Sequence, residues 1–194
     1  MLPERCLNGN GRLISESQNK PINLQPQIAF RENIFGTIQI REDKLQASLK
    51  TTKRNYAAYK FREKYTDYTH ADEFVKKLEN RENMLINDYS INNLDSLEKP
   101  VHIRLDSITT NDMTRTGDMI YLNPIIYERI NDNPFKIEDR KYPVDYAHPY
   151  HKIYRFQIAI PEGYKIESLP KAEMFQTARN KAQFGYTAKQ IGPN

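Results

Sequence analysis

The sequence predicts a mainly β, α+β protein: an antiparallel β-sandwich-like fold with one or two helices inserted around residues 55–82. The first observation is the segment 33–53, where apolar and polar side chains alternate in two runs separated by the polar pair Glu42-Asp43. This pattern is typical of a β-hairpin with one buried face. The second is a series of β-type runs separated by Gly, Pro and Asn turn residues, at 84–91, 101–108, 119–122 and 150–160.

The helical insertion depends on residues 55–82. Thr69 is followed three residues later by Asp72, as in a capping box, and Phe74, Val75 and Leu78 form one apolar stripe. These features predict a helix over about 70–82. Residues 56–65 could form a first helix, although their aromatic side chains would also suit a strand.

The chain divides into a short arm and a larger module. Residues 1–29 are rich in turn formers and predict an extended arm or linker from an upstream domain, with one short strand near 12–15. Residues 30–194 form the β-rich module, in which two subparts, 30–130 and 131–194, are possible. Pro161 and Gly163 predict a turn, followed by a strand at 164–169 and a final strand at 183–187.

Composition limits the classes of partner. The chain has 194 residues, with 29 basic and 25 acidic side chains interleaved along the sequence, so that the net charge is only +4. Nucleic-acid-binding proteins usually segregate their basic residues, so the basic cluster Lys50–Arg54 is interpreted as a solvated strand end and no nucleic-acid partner is expected. No apolar run is long enough to span a membrane, and the first residues lack the apolar core of a signal peptide.

No residue set in the sequence makes a convincing catalytic or metal site. Cys6, the single cysteine, is followed by an Asn/Gly turn, so a Cys6–His102–Asp118 triad is the least favoured reading, that of a cysteine hydrolase. His148 and His151, with Asp145 nearby, lack further ligands for a metal. We therefore predict no catalytic residue, no metal site, no cofactor and no enzymatic activity for this chain.

Two groups of polar or aromatic side chains remain. The carboxylate pairs lie beside Lys or Arg and are interpreted as exposed ion pairs; they are Glu42-Asp43, Asp72-Glu73 and Glu138-Asp139. Four tyrosines recur at spacings of four, but prolines between them prevent a helix. They are interpreted as strand-edge and corner tyrosines or, alternatively, as a binding platform for glycan or peptide: Tyr142, Tyr146, Tyr150 and Tyr154.

Two motifs carry a resemblance to a known family. Asn133–Tyr146, NPFKIEDRKYPVDY, and Ile160–Pro170, IPEGYKIESLP, resemble the uncharacterised C-terminal β-domain that follows the transglutaminase-like core in exported multi-domain proteins of Bacteroidetes-type bacteria. The opening Leu2–Gly11 is similar to the segment just after that core. The two motifs and this opening segment together extend the resemblance over most of the chain.

The resemblance implies a non-catalytic accessory domain that packs on or positions a partner. That partner would be an upstream transglutaminase-like domain, whose Cys-His-Asp triad would lie before residue 1. Nothing in this chain matches the motif around that nucleophile, so no catalytic residue is carried over. Family resemblance also implies export to the periplasm or cell surface, while the missing signal peptide leaves a cytoplasmic location open.

Overall fold

A computed structural model describes residues 2–133, 136, 141, 144, 146–177 and 181–192. The chain splits into two compact units, Met1–Ala159 and Ile160–Asn194. The first unit contains a short 3-10 helix, two α-helices and nine strands among its described residues: Glu4–Cys6, β1 (Asn10–Ile14), β2 (Asn19–Asn23), β3 (Phe30–Arg41), β4 (Lys44–Arg54), α1 (Tyr56–Tyr65), α2 (Ala71–Glu82), β5 (Met84–Asn92), β6 (Val101–Thr110), β7 (Met113–Thr116), β8 (Met119–Leu122) and β9 (Tyr150–Ala159). The second contains β10 (Glu173–Gln176) and β11 (Gln183–Tyr186).

A five-stranded sheet forms the centre of the first unit, with the strand order β5-β6-β4-β3-β9. Every neighbouring pair is antiparallel except β3 and β9, which are parallel. The hairpins β1–β2 and β7–β8 are separate two-stranded sheets. This mainly β architecture with two helices confirms the predicted fold class.

The two helices pack against the inward face of the sheet. Helix α1 contacts β3 and β4, and helix α2 contacts β5. Ala58 of α1 and Phe74 and Leu78 of α2 lie in one buried cluster with inward side chains of the strands, such as Leu49 and Ile103. Sheet and helices are therefore two layers of a sandwich-like fold, and the predicted helical insertion is confirmed in both of its helices.

Gly36 allows close packing at the middle of β3. A Cβ atom at this position would lie 2.6 Å from Cδ1 of Phe156 and 2.8 Å from Cδ2 of Leu49. The Phe156 ring of β9 therefore lies directly over the glycine, and any larger residue would push it away from the core.

One arginine holds the loop between β5 and β6. The guanidinium of Arg62 in α1 donates to the carbonyl oxygens of Asn93, Leu94 and Ser96 at 2.8, 2.9 and 2.7 Å. A single side chain thus satisfies several loop carbonyls, which explains how this irregular segment is fixed against the helix.

Four details differ from the sequence-based expectations. The strand expected at 164–169 is wrong, because the structure has irregular backbone there after the turn at Pro161–Tyr164. The strand near 12–15 is confirmed as β1, but its partner β2 was missed because the sequence Asn19–Asn23 has no hydrophobic alternation. The strand at 119–122 is confirmed as β8 and the final strand as β11, but their partners β7 and β10 were also missed.

Residues 123–130 form no helix or strand. Ile126 and Tyr127 from this segment are each only 1% exposed. They belong to the main core cluster together with inward residues of the sheet. The segment is therefore a structural part of the core, inserted between β8 and β9 in the chain.

Candidate functional site

Three charged side chains form a row across the inward face of the sheet. Glu32 on β3 lies opposite Lys53 on β4 in the antiparallel pair and opposite Lys152 on β9 in the parallel pair. All three occupy the inward phase of their strands, as the neighbouring Ile34 and Thr51 do. The row places one carboxylate between two ammonium groups at the end of the sheet.

Glu32 is 1% exposed and contacts both lysines. One oxygen accepts a short hydrogen bond from Nζ of Lys53, and Oε2 lies 3.2 Å from Nζ of Lys152. The side chains of Lys53 and Lys152 are only 7% and 8% exposed. Buried charges of this kind persist only where each has a partner, because desolvation of an isolated ion is costly.

Glu128 supplies the second carboxylate of this ion network. Its Oε2 lies 3.3 Å from Nζ of Lys152, and its Oε1 lies 3.7 Å from both Nζ of Lys53 and a guanidinium nitrogen of Arg81. We call Glu32, Lys53, Arg81, Glu128 and Lys152 the buried ion network; Glu32 and the two lysines are its buried part, and at its edge the side chains of Glu128 and Arg81 are 29% and 47% exposed. Two carboxylates thus face two lysines and one arginine.

The backbone at Glu128 is fixed by its surroundings. Glu128 has a φ of +56°, in the left-handed region that a non-glycine residue seldom adopts. Its carbonyl oxygen accepts a hydrogen bond from the Tyr154 hydroxyl at 2.6 Å, and the preceding Tyr127 is buried. The core thereby holds a local conformation that directs the carboxylate of Glu128 to the two lysines.

The electrostatics of the network favour the charged forms of Glu128 and Lys152. Burial by itself would raise the pKa of Glu128, but the charges of Lys53, Lys152 and Arg81 outweigh it and lower that pKa below its ordinary value. Burial likewise opposes the ammonium form of Lys152, yet Glu32 and Glu128 raise its pKa well above the ordinary range. At neutral pH the carboxylate of Glu128 and the ammonium of Lys152 are both ionised and paired.

Acid should weaken this network. A carboxylate whose folded pKa lies below its unfolded pKa stabilises the fold above the unfolded value, and the contribution is lost as the pH falls through the folded pKa. For Glu128 the loss begins near the ordinary value of 4.5. We expect the free energy of unfolding, measured by urea denaturation from pH 7 to pH 3, to fall less steeply in Glu128→Gln than in the wild type.

The exposed Glu98 provides the control, because it makes no ion pair with another described residue. Glu98→Gln should reproduce the pH profile of the wild type. Equal slopes below pH 4.5 for the wild type and Glu128→Gln would contradict the assignment of a lowered pKa to Glu128.

A second polar cluster surrounds His148, just before β9. Nε2 of His148 lies 2.6 Å from Oε1 of Glu4. The same oxygen forms an ion pair with Nζ of Lys60 at a distance of 2.8 Å. The imidazole stacks on Tyr56 at a ring-centroid distance of 4.6 Å and on Phe30 at 5.9 Å. Burial would raise the pKa of Glu4, but the hydrogen bonds to Lys60 and His148 lower it.

The predicted tyrosines take different environments. Tyr142 lies outside the described residues. Tyr146 is 64% exposed, and its carbonyl oxygen accepts a hydrogen bond from Asn8. Tyr150 stacks on Phe30 at 4.5 Å and is 55% exposed, whereas the Tyr154 hydroxyl is bound to the backbone of Glu128. Tyr150 and Tyr154 share the inward face of β9, with Lys152 between them.

The residues considered for catalysis and metal binding are not brought together by any described contact. Cys6 is exposed at the end of the three-residue 3-10 helix, and Asp118 is exposed in the turn between β7 and β8. His102 points to the outward face, with Nδ1 3.3 Å from Oγ1 of Thr52. Asp145 lies outside the described residues, and within the described ones no group of three or more His, Cys, Asp or Glu could hold a metal ion.

The comparisons with known proteins give one match. Residues 118–193 match the family model described as "Domain of Unknown Function with solved-structure structure (DUF3858)", which is less than half of the chain. No curated protein and no solved structure matches the chain. Neither α-helix in the part of the chain that the structure describes is long and apolar enough to cross a membrane.

The matched segment forms ion pairs and strand pairs with the residues that precede it in the chain. It supplies Glu128 and Lys152 to the buried ion network, whereas Glu32 and Lys53 come from upstream of residue 118. It also supplies β9, which pairs along most of β3. The DUF3858-like segment up to residue 159 therefore shares its sheet, its core and its buried charges with upstream residues.

Proposed function

We propose that this chain is a non-catalytic accessory β-domain of a transglutaminase-like protein, which packs on a partner domain or positions it. The buried ion network is the observation that carries this proposal. Glu32, Lys53 and Lys152 are held at buried positions by one another and by Glu128, so that these charges serve the packing of the fold. A general acid or base would instead need a polar atom within reach of a substrate.

The His148 cluster supports the same conclusion. Nε2 of His148 is occupied by Glu4, and aromatic rings stack on the imidazole. His148 is 8% exposed, which leaves it little access to a substrate. The contact connects the 3-10 helix near the start of the chain to the residue just before β9, and an architectural role explains both of its partners.

The identity of the partner domain comes from family resemblance. The motifs at 133–146 and 160–170 resemble domains that accompany a transglutaminase-like core in exported bacterial proteins, and the family matched at 118–193 has no assigned function. We therefore propose a periplasmic or cell-surface location for the chain, beside such a core. Reading the coding sequence upstream of Met1 tests this, because a transglutaminase-like core should be encoded there.

A thiol-dependent activity is the least favoured alternative, and it can be tested directly. We expect the purified chain and its Cys6→Ala variant to show the same background rate with peptide, amide and ester substrates, because Cys6 has no described base beside it. The measurement is steady-state hydrolysis and amine transfer with both proteins at equal concentration. Turnover by the wild type that is lost in Cys6→Ala would overturn the accessory role.

Tyr146 and Tyr150 favour a second candidate, a glycan- or peptide-binding module. They are 64% and 55% exposed, which is high for large aromatic side chains next to a folded core. Saturable binding of a glycan or peptide that weakens in both Tyr146→Ala and Tyr150→Ala would favour this candidate. An architectural domain should show no saturable ligand in the same screen.

A further inference from the structure

The five-stranded sheet has a second face, on the side away from the helices. Side chains alternate along each strand, so the outward positions of β3 are Arg31, Asn33, Phe35, Thr37, Gln39 and Arg41. All six of these residues are exposed. The register places outward residues of β4, β6, β5 and β9 in line with them, and together they form a surface that we call the outward face.

The outward face is strongly basic. Its cationic side chains outnumber its carboxylates by seven to two; the cations are Arg31, Arg41, Lys44, Lys50, Arg54, Arg104 and Arg155, and the carboxylates are Asp88 and Asp106. The whole chain has a net charge of +4, with 29 basic and 25 acidic residues. The fold therefore segregates onto one face a charge excess that the interleaved sequence conceals.

Six of these seven cations have no ionic partner among the described residues. Arg104 pairs with Asp106 on the same strand, whereas the other six form no ion pair with another described residue: Arg31, Arg41, Lys44, Lys50, Arg54 and Arg155. The contrast with the inward face is sharp, because Lys53 and Lys152 on two of the same strands are each paired with two carboxylates. The outward cations are available to an external anion.

Two neighbouring apolar side chains lie among the cations. Phe35 is 38% exposed and lies opposite Lys50 on β4 and Arg155 on β9. Ile153, half-buried on β9, lies opposite Asn33, two residues before Phe35 on β3. Apolar side chains flanked by polar and charged ones are characteristic of protein interfaces.

We propose that the outward face is a docking surface for an acidic protein surface, that of the partner domain. This inference rests on the proposed accessory function, for which it names the contact surface and the charge of the partner. The anionic partner is required by charge complementarity, since an uncharged or basic surface would leave the six unpaired cations desolvated without compensation.

The observations favour a protein over a single-stranded nucleic acid as the anion. Nucleic-acid platforms stack successive bases on several aromatic side chains, but Phe35 is the only Phe, Tyr or Trp at an outward position of these five strands, all of which the structure describes. Four of the six unpaired cations are arginines, which are enriched at protein interfaces, whereas lysine is depleted there.

The size of the face fits a protein partner. Five strands spaced by about 4.8 Å, with about ten residues each at 3.3 Å, cover roughly 24 by 33 Å. In a stable protein interface each partner buries about 800 Å², which is close to this area. The face is therefore large enough to hold another folded domain.

Binding of labelled poly-L-glutamate, measured by fluorescence anisotropy at low salt, tests the inference. The face variant replaces Arg31, Lys50, Arg54 and Arg155 by Ser. The matched control variant replaces four other exposed lysines by Ser, namely Lys20, Lys64, Lys76 and Lys99. Both variants lose the same charge, from +4 to 0, so that only the location of the lost charge differs.

We expect the wild type and the control variant to bind poly-L-glutamate similarly and the face variant to bind about ten-fold more weakly or worse. Equal weakening in the two variants would overturn the inference, because net charge alone would then explain binding. A poly-dT oligonucleotide of equal charge that bound about ten-fold more tightly than poly-L-glutamate would also overturn it, in favour of a nucleic-acid surface.

The outcomes separate this inference from the proposed function. If poly-L-glutamate does not bind and no Cys6-dependent turnover is found, the docking surface is wrong and the accessory role stands. If Cys6-dependent turnover is found, the accessory role fails whatever the polymer result.

Discussion

Replacing Glu32 by alanine is expected to lower the free energy of unfolding by about 3–5 kcal/mol. Glu32 is the carboxylate between Lys53 and Lys152, and its removal leaves two buried ammonium groups with only the more distant Glu128 as counter-charge. Urea denaturation at pH 7, followed by circular dichroism, measures the change. Because a domain of this size has a total stability of only about 5–15 kcal/mol, the variant could lose its fold entirely.

The milder Glu32→Gln keeps the size and hydrogen-bonding capacity of the side chain and is measured in parallel. It should lie between the wild type and Glu32→Ala. The control Glu98→Ala removes an exposed carboxylate and should change the free energy of unfolding by no more than about 0.5 kcal/mol. A cost below about 1 kcal/mol for Glu32→Ala would show that the network contributes little to the fold.

Tyr127→Ala is expected to cost about 3–5 kcal/mol, by the same denaturation measurement, because it empties a large buried site. Tyr127 is 1% exposed and packs in the main core cluster, although it belongs to a segment without helix or strand. It also precedes Glu128, whose left-handed backbone is held in place by the surrounding core. Loss of the ring should therefore disturb the ion network as well as the apolar packing.

Tyr121→Ala is the matched control, because Tyr121 lies in the same DUF3858-like segment but is 55% exposed. It should cost about 0.5 kcal/mol or less. If the Tyr127 and Tyr121 variants unfolded at the same denaturant concentration, the segment 123–130 would have no structural role in the core.

The sequence predicted strands and helices correctly where the spacing of apolar side chains was strongly periodic over a short segment. The alternation in 33–53 gave the hairpin β3–β4, and the apolar stripe at Phe74, Val75 and Leu78 gave α2. The strands that were missed are β2, β7 and β10, which are short pieces whose side chains are mostly exposed. Without a buried face they carry no hydrophobic period, so pairing alone defines them.

The pairing of Glu32 with Lys53 could have been predicted from the sequence. Glu32 lies in the same phase as Ile34, Lys53 in the same phase as Thr51, and the turn at Glu42-Asp43 fixes the register that sets Glu32 opposite Lys53. The contact of Glu32 with Lys152 could not have been predicted, because β9 is far along the chain from β3 and pairs with it in parallel. No local turn fixes such a register, and therefore nothing indicated that Lys152 would complete the row.

The outward face could not be predicted from the sequence either, because it depends on which strands lie side by side. In the sequence, the basic residues of β3 and β4 alternate with acidic and apolar ones, and the mean charge looks mild. Only the strand order brings Arg155 beside Phe35 and Arg104 beside Lys50. Segregation of charge onto one face is a property of the folded sheet, which explains why composition gave no sign of it.

The central claim is that the buried ion network stabilises the packing of the fold. The most direct test is the coupling free energy between Glu32, which precedes the DUF3858-like segment, and Lys152, which lies within it. A double-mutant cycle with Glu32→Gln, Lys152→Met and the combined variant, each unfolded in urea at pH 7, measures it. Directly contacting charges in one network should give a coupling of about 1–3 kcal/mol. Additive effects, within about 0.5 kcal/mol, would contradict the claim that these charges hold upstream residues and the DUF3858-like segment in one fold.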